Sequence, residues 1–348
     1  MKKVFKRVLI LFILSDLILV ALCFYGYNYV YSNLQYKNAQ DKTKIFFNVS
    51  SGEPLVTTLR KLEDKKLIKD YNSARVYSMF SLKGKYAKPG KYELSKSMNF
   101  FEIFNKLSSG DVYRVYLTIP EGYSIKKIAN RLSKNGFSLE KYKTESFNTK
   151  SEKYDSIPFI SEEKIYEKES FEGYLFPDTY DVADSKESDI VEKQLLRFQE
   201  VIYNGVWKKR PSNWHLSFHE TATLASIVEL EAQKPEERDI IAGVFINRLK
   251  QGIPLGSDPT VEYALGWHQG DKGLSFADIK VKSPYNTYMN AGLPPGPIAN
   301  AGLEVFKAVL NYKDTKYLYF VARGDGSHVF TSTYPEHLAA QSRIVNGK

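Results

Sequence analysis

The longest apolar pattern in the chain comes first. Residues 8–24 form an almost unbroken apolar run, long enough to cross a bilayer as a helix. Lys2, Lys3, Lys6 and Arg7 precede it. Positive charge on that side predicts that residues 1–7 stay in the cytoplasm and that everything after the span is exported. Tyr25-Gly26-Tyr27-Asn28-Tyr29-Val30-Tyr31 offers no small-x-small cleavage site and reads as an aromatic interfacial belt. Residues 8–30 are therefore expected to be an uncleaved transmembrane anchor and residues 31–44, polar from Gln35 onward, a tether.

Beyond the anchor the periods shorten and alternate. A small α/β subdomain is expected over residues 45–110, with strands at 45–49 and 92–94 and helices at 54–62, 71–79 and 100–107, the last capped from Ser97 or Asn99. Residues 111–348 are expected to form a second, larger domain, so the fold class is α+β, mixed helices with β-hairpins. A strand is expected at 112–119 and a helix at 125–132 with Ser124 as its N-cap. A weak echo links the two parts. Val49-Ser50-Ser51-Gly52 and Ile119-Pro120-Glu121-Gly122 each end a strand, and apolar residues recur at Leu55, Leu62 and Leu67 and at Ile125, Leu132 and Phe137. Residues 138–170, rich in Lys, Ser, Glu and Tyr, read as a mobile or inserted segment, and 206–217 as a polar loop after an amphipathic helix at 189–203. A helix after Asn300 running to about Leu310 and a hairpin of 317–322 with 328–332 around Arg323-Gly324-Asp325-Gly326 follow.

One stretch breaks its own pattern. In Leu224-Ala225-Ser226-Ile227-Val228-Glu229-Leu230-Glu231-Ala232, at about 100° per residue, Leu224, Ile227, Val228 and Glu231 share a helical face while Glu229 points roughly the other way. An acid held against apolar neighbours is disfavoured as the anion, so its pKa rises and it keeps a proton at neutral pH. A general acid in glycosidic cleavage needs that property. The competing reading is an acid near a frayed helix end that reaches water or pairs with Arg238 or Arg248.

The residues after it supply further candidates. Pro235, Glu236 and Glu237 suit the first turn of a helix that runs to Leu249 and stops near Gly252. Asn247 and Arg248 near its end either serve the helix terminus or bond substrate and orient Glu231. Asp258 before Pro259 reads as an N-cap with Pro at the first helical position, leaving open a sugar contact from Asp258 or Thr260. Tyr285, Asn286, Thr287 and Tyr288 carry two rings and an amide that suit pyranose faces and an N-acetyl group. Glu172-Gly173-Tyr174-Leu175-Phe176-Pro177-Asp178-Thr179-Tyr180 is either a sugar-stacking wall or a packed loop. No convincing second carboxylate faces Glu231, which argues against simple hydrolysis.

Composition narrows the classes. At 348 residues the chain exceeds one ordinary core. The net charge of +9 first suggests nucleic acid, but an exported domain with Lys dispersed among Glu and Asp points instead to anionic wall polymers and lipid headgroups. Cys23 is the only cysteine, so no intramolecular disulfide forms. His215 and His219 are four apart, but Leu216 stands where a zincin has its glutamate, so no metal or other cofactor is expected. Asp16 inside the span is either a tolerated acid or a contact with another membrane helix, such as one of a wall-synthesis complex.

The ordered motifs, from Gly173-Tyr174-Leu175-Phe176-Pro177-Asp178 through the Glu231 stretch and Leu255-Gly256-Ser257-Asp258-Pro259-Thr260 to Tyr285-Asn286-Thr287-Tyr288 and Gly292-Leu293-Pro294-Pro295-Gly296, resemble the membrane-bound endolytic murein transglycosylases, the family with the YceG-like domain. The likeness spans about residues 115–335. It implies that Glu231, second acid of the family's Ile-(Val/Ile)-Glu-x-Glu motif, is the catalytic glutamate, and that His328 matches a family histidine. It further implies a LysM-like membrane-proximal piece, a single-pass protein of the bacterial cytoplasmic membrane, and nascent peptidoglycan strands as substrate. A muramidase acting on the same bond and a non-enzymatic wall-binding scaffold are the other expectations.

Overall fold

The computed structural model describes residues 2–35, 38, 40–81, 87–267 and 273–347; residues 36, 37 and 39 of the expected tether and the side chains of Lys2 and Lys3 lie outside the described residues. Two compact units divide the chain, residues 1–114 and 115–348.

The first unit begins with α1 (Lys2–Leu34), among the described residues the one helix long and apolar enough to cross a membrane. Its tyrosines 25, 27 and 29 are exposed. The helix outruns the expected span. Leu34 is buried with Phe47, Leu62 and Phe100, and Val30 packs against them, so the tether expected to start at residue 31 begins only after this last turn. Burial of two apolar side chains stabilises the extra turn. Then follow β1 (Lys44–Val49), α2 (Leu55–Asp64), α3 (Tyr71–Phe80), β2 (Gly90–Ser95) and α4 (Phe100–Ser109). β1 and β2 pair antiparallel, Lys44 opposite Ser95 and Val49 opposite Gly90. Asn99, one of the two expected caps, starts α4 in a reciprocal capping box with Glu102.

The second unit comprises β3 (Tyr116–Thr118), α5 (Ile125–Ser133), α6 (Leu139–Ser146), α7 (Pro158–Glu162), β4 (Thr179–Asp181), α8 (Glu187–Phe198), α9 (Phe218–Glu231), α10 (Arg238–Gln251), α11 (Asp258–Ala264), α12 (Leu303–Leu310), β5 (Tyr319–Ala322), β6 (His328–Thr331) and α13 (Tyr334–Val345). β3 pairs with β4 and β5 with β6, both antiparallel. Ser124 caps α5. The sequence echo has a structural counterpart: the N–H of Leu67 bonds the Leu62 carbonyl and that of Phe137 the Leu132 carbonyl, so both helices end in the same wound turn.

Two expectations change, one open alternative closes and one helix is added. Residues 138–170 are not a mobile insert: Tyr142, Tyr154, Phe159 and Ile165 are fully buried in the core, their spacing hidden by short helices and 3-10 turns. The stretch from Tyr174 to Asp178 is a packed loop leading into β4, since Tyr174, Leu175 and Phe176 are buried and cannot stack on a ligand. The strand expected at 112–119 shrinks to three residues, the length that β4 can pair. α13 has no counterpart in the reading of apolar periods.

Candidate active site

The helix that carries the acids is enclosed on all sides. Ser217 and Glu220 cap α9 reciprocally, and every residue from Thr221 to Val228 is buried, so the expected single apolar stripe is a helix packed all round. Its polar members are satisfied locally. The Thr223 hydroxyl donates to the His219 carbonyl at 2.8 Å and that of Ser226 to the Thr223 carbonyl at 2.7 Å, while Ser226 Oγ accepts the Ile298 N–H at 3.0 Å. The helix ends at Glu231, where Ala232 turns to extended geometry. The last carboxyl thus leaves the core at its edge.

Glu231 opens on a cleft of about 530 Å³ that Arg248, Gly256, Asp258, Tyr288, Tyr319, His328, Tyr334 and His337 also line. Its Oε1 accepts the Ser257 hydroxyl at 2.6 Å. Burial raises its pKa to about 7; the Ser257 bond and the Arg248 charge pull down, and Asp258 and Glu262 push up. At neutral pH a large share of the molecules hold the proton. Pairing with Arg238 or Arg248 does not occur: the Arg248 guanidinium bonds the carbonyls of Leu318 at 2.6 Å and Leu255 at 2.7 Å, pinning β5 to the 253–256 turn, and sits over the Tyr319 ring at 5.1 Å. Gly256, at φ +55°, passes that turn tightly, and a Cβ there would come within 3.4 Å of Arg248 Nη1 and 3.5 Å of the Tyr288 ring.

The expected site residues separate into two groups. Glu231, Arg248, Asp258, Tyr288 and His328 share the cleft. His328 is clamped by Glu237, whose carboxylate takes its backbone N–H at 3.0 Å and lies 2.7 Å from Nδ1, and Phe320 stands edge-on to the ring. Asn247, Thr260, Asn286 and Thr287 lie behind the cleft wall. The Asn247 amide bonds the carbonyls of Thr315 and Tyr317, and that of Asn286 bonds those of Ile279 and Val281. Fully buried Thr260 and Thr287 join hydroxyls at 2.8 Å. The N-acetyl contact expected of Asn286 is corrected accordingly, because its donors are already taken up inside the protein. Tyr285 packs on Tyr263 at 5.0 Å. Glu229, the other acid of the motif and also a candidate substrate contact, is corrected: it turns away from the cleft and accepts the Gly302 N–H at 2.9 Å.

Asp258 is not the N-cap that the Asp-Pro order suggests. It is the first residue of α11, Ser257 holds the cap position, and the carboxylate instead accepts the Tyr288 hydroxyl at 2.6 Å. The histidine spacing also dissolves. His215 is exposed in a loop, while His219 lies on α9 with Nδ1 2.6 Å from the Tyr174 hydroxyl and Nε2 2.7 Å from the Pro295 carbonyl. Both nitrogens are engaged.

Two features escaped the sequence. Tyr319, Tyr334 and His337 form a fan of rings on one side of the cleft, Tyr319 and His337 stacked at 5.4 Å. Thr333-Tyr334-Pro335-Glu336, a capping box with proline in its first turn, was the available signal for the helix that presents two of them. The second is Glu172, fully enclosed, whose carboxylate accepts the Ile125 N–H and the Asn300 amide at 2.9 Å and whose pKa burial raises to about 8.

Fold and site together define the class: the YceG-like family model matches residues 47–343, and the chain belongs to that family. Among its relatives is the endolytic murein transglycosylase of Bacillus subtilis (strain 168), 35% identical over 318 residues that cover 88% of this chain and 86% of that protein. The endolytic murein transglycosylase of Streptococcus pneumoniae serotype 2 is 30% identical, covering 97% of this chain and 66% of that longer protein. A crystal structure of a YceG-like protein from Listeria monocytogenes matches with a TM-score of 0.60 at 32% identity, over 85% of this chain and 98% of that one.

Proposed function

We propose that this protein is a membrane-anchored endolytic murein transglycosylase that cuts the β-1,4 bond between N-acetylmuramic acid and N-acetylglucosamine within glycan strands, close to an exported face of the membrane. α1 supplies the anchor, with its N-terminus cytoplasmic. One observation carries the reading: Glu231 combines a pKa raised to about 7 with a place on an open cleft and a single hydroxyl partner.

Glu231 first donates its proton to the glycosidic oxygen as the C1–O bond breaks. It then takes the proton from the C6 hydroxyl of the muramyl residue as that oxygen closes on C1, giving a 1,6-anhydro end. One residue serves both steps, and water adds to nothing. General acid and base help of this kind is worth about 10²- to 10⁴-fold.

The test is product analysis on purified sacculi, wild type beside Glu231→Gln. Wild type should release anhydro ends, lighter by one water than hydrolytic ends, and the variant should release almost none. A hydrolase remains the second reading because Asp258 lines the same cleft and gives the two carboxyl groups that hydrolysis needs. Hydrolytic ends from wild type would establish it.

A further inference from the structure

We propose that Asp258 is a second catalytic group of the transglycosylase reaction, a carboxylate that faces the positive charge developing at the muramyl C1 and ring oxygen and exchanges no proton. The inference rests on the transglycosylase reading above.

The geometry of its mounting points this way. Asp258 lines the cleft that Glu231 opens on, and Tyr288, from the opposite loop, donates its hydroxyl to Oδ1 at 2.6 Å. Beneath this pair lies a rigid polar floor. Ser257 N–H donates to Thr287 Oγ1 at 3.0 Å, the Thr260 hydroxyl bonds the Ser257 carbonyl at 2.6 Å, and Tyr288 N–H donates to Asn286 Oδ1 at 2.9 Å. These buried side chains do not reach substrate. They fix the two residues that do, Asp258 at the start of α11 and Tyr288 opposite.

The chemistry gives such a carboxylate a task. As the C1–O4 bond breaks, its electron pair leaves with the oxygen that Glu231 protonates, and C1 and the ring oxygen share the positive charge. The C6 oxygen then bonds C1, and its proton returns to Glu231. A fixed negative charge beside C1 interacts more strongly with that cation than with the neutral sugar, so it lowers the barrier rather than tightening binding. The same charge opposes ionisation of Glu231. The groups that act on Glu231 include Ser257, Asp258 and Glu262 on the α11 side, Arg248 from α10 and Tyr288 from the opposite loop.

The test uses the full chain in detergent micelles with uncrosslinked glycan strands. Asp258→Asn should lower kcat by at least about tenfold while KM changes by less than about twofold. The alkaline limb of its kcat/KM profile should move to lower pH, and its products should still carry anhydro ends. Asp258→Glu should recover part of kcat. A kcat within twofold of wild type, or a loss lying wholly in KM, overturns the proposal. Thermal unfolding checks each variant. If Asp258→Asn does not fold, Tyr288→Phe decides: a several-fold fall in kcat with intact fold supports the role, and unchanged kcat overturns it. Failure of the transglycosylase reading shows separately, as wild-type products without anhydro ends.

Discussion

Glu172 and Glu231 both have pKa values raised by burial, yet only Glu231 opens on a cleft. Glu172 is enclosed by the start of α5, the Gly173 turn and Asn300, and the Ile125 N–H, the Gly173 N–H and the Asn300 amide all point at it. No described cavity includes it. Glu231 has one hydroxyl partner and an open side. Burial raises a pKa, then, but an exit for the proton makes an acid. Glu172 joins three segments, and Glu231 is the acid proposed above to give its proton up.

The sharpest way to break this comparison is to neutralise both. Glu231→Gln should lower the rate of glycan cutting by about 10²- to 10⁴-fold with the thermal midpoint nearly unchanged. Glu172→Leu should do the reverse, leaving three donors without an acceptor at about 1–3 kcal/mol each and lowering the midpoint by several degrees. Calorimetry beside activity measured below the midpoint separates the two; a Glu172→Leu protein as inactive as Glu231→Gln but equally stable would erase the distinction.

Stability against pH gives the next largest effect. A carboxyl raised in the folded state binds its proton more tightly there than in the unfolded chain. Its contribution is full below the ordinary carboxyl value of 4.5 and is lost as pH rises through about 8 for Glu172. Denaturant midpoints should fall across that window in the wild type and fall less in Glu172→Gln. Ser257→Ala is the smallest perturbation. Removing a bond that favours the Glu231 anion should raise its pKa and shift the alkaline limb of activity upward, by about one unit or less. A downward shift would contradict the assigned role of that hydroxyl.

The reach of sequence reasoning follows the same division. Periodicity found α1, α4, α5, α9 and α10, because regular apolar spacing bounded by caps at Asn99, Ser124 and Gly252 announces a helix. It missed the buried aromatics of 138–170, where short helices alternate with 3-10 turns and no single apolar period runs through the segment. At the site, the phases of Glu229 and Glu231 on one helix were readable. Which of Tyr285, Asn286, Thr287 and Tyr288 faces the cleft was not, since consecutive loop residues have no phase. Asp258 shows the limit most plainly: Asp-Pro satisfies a local capping rule, and only the tyrosine brought up from thirty positions away reveals the other use of that carboxylate.

Leu34 ties the last turn of the bilayer helix into the interior of the first unit, beside Phe47 and Phe100. A sideways or outward tug on the anchor is therefore borne by packed side chains and cannot be absorbed by slack chain. A load applied to that helix would strain the small interior around Leu34 before anything else in the unit.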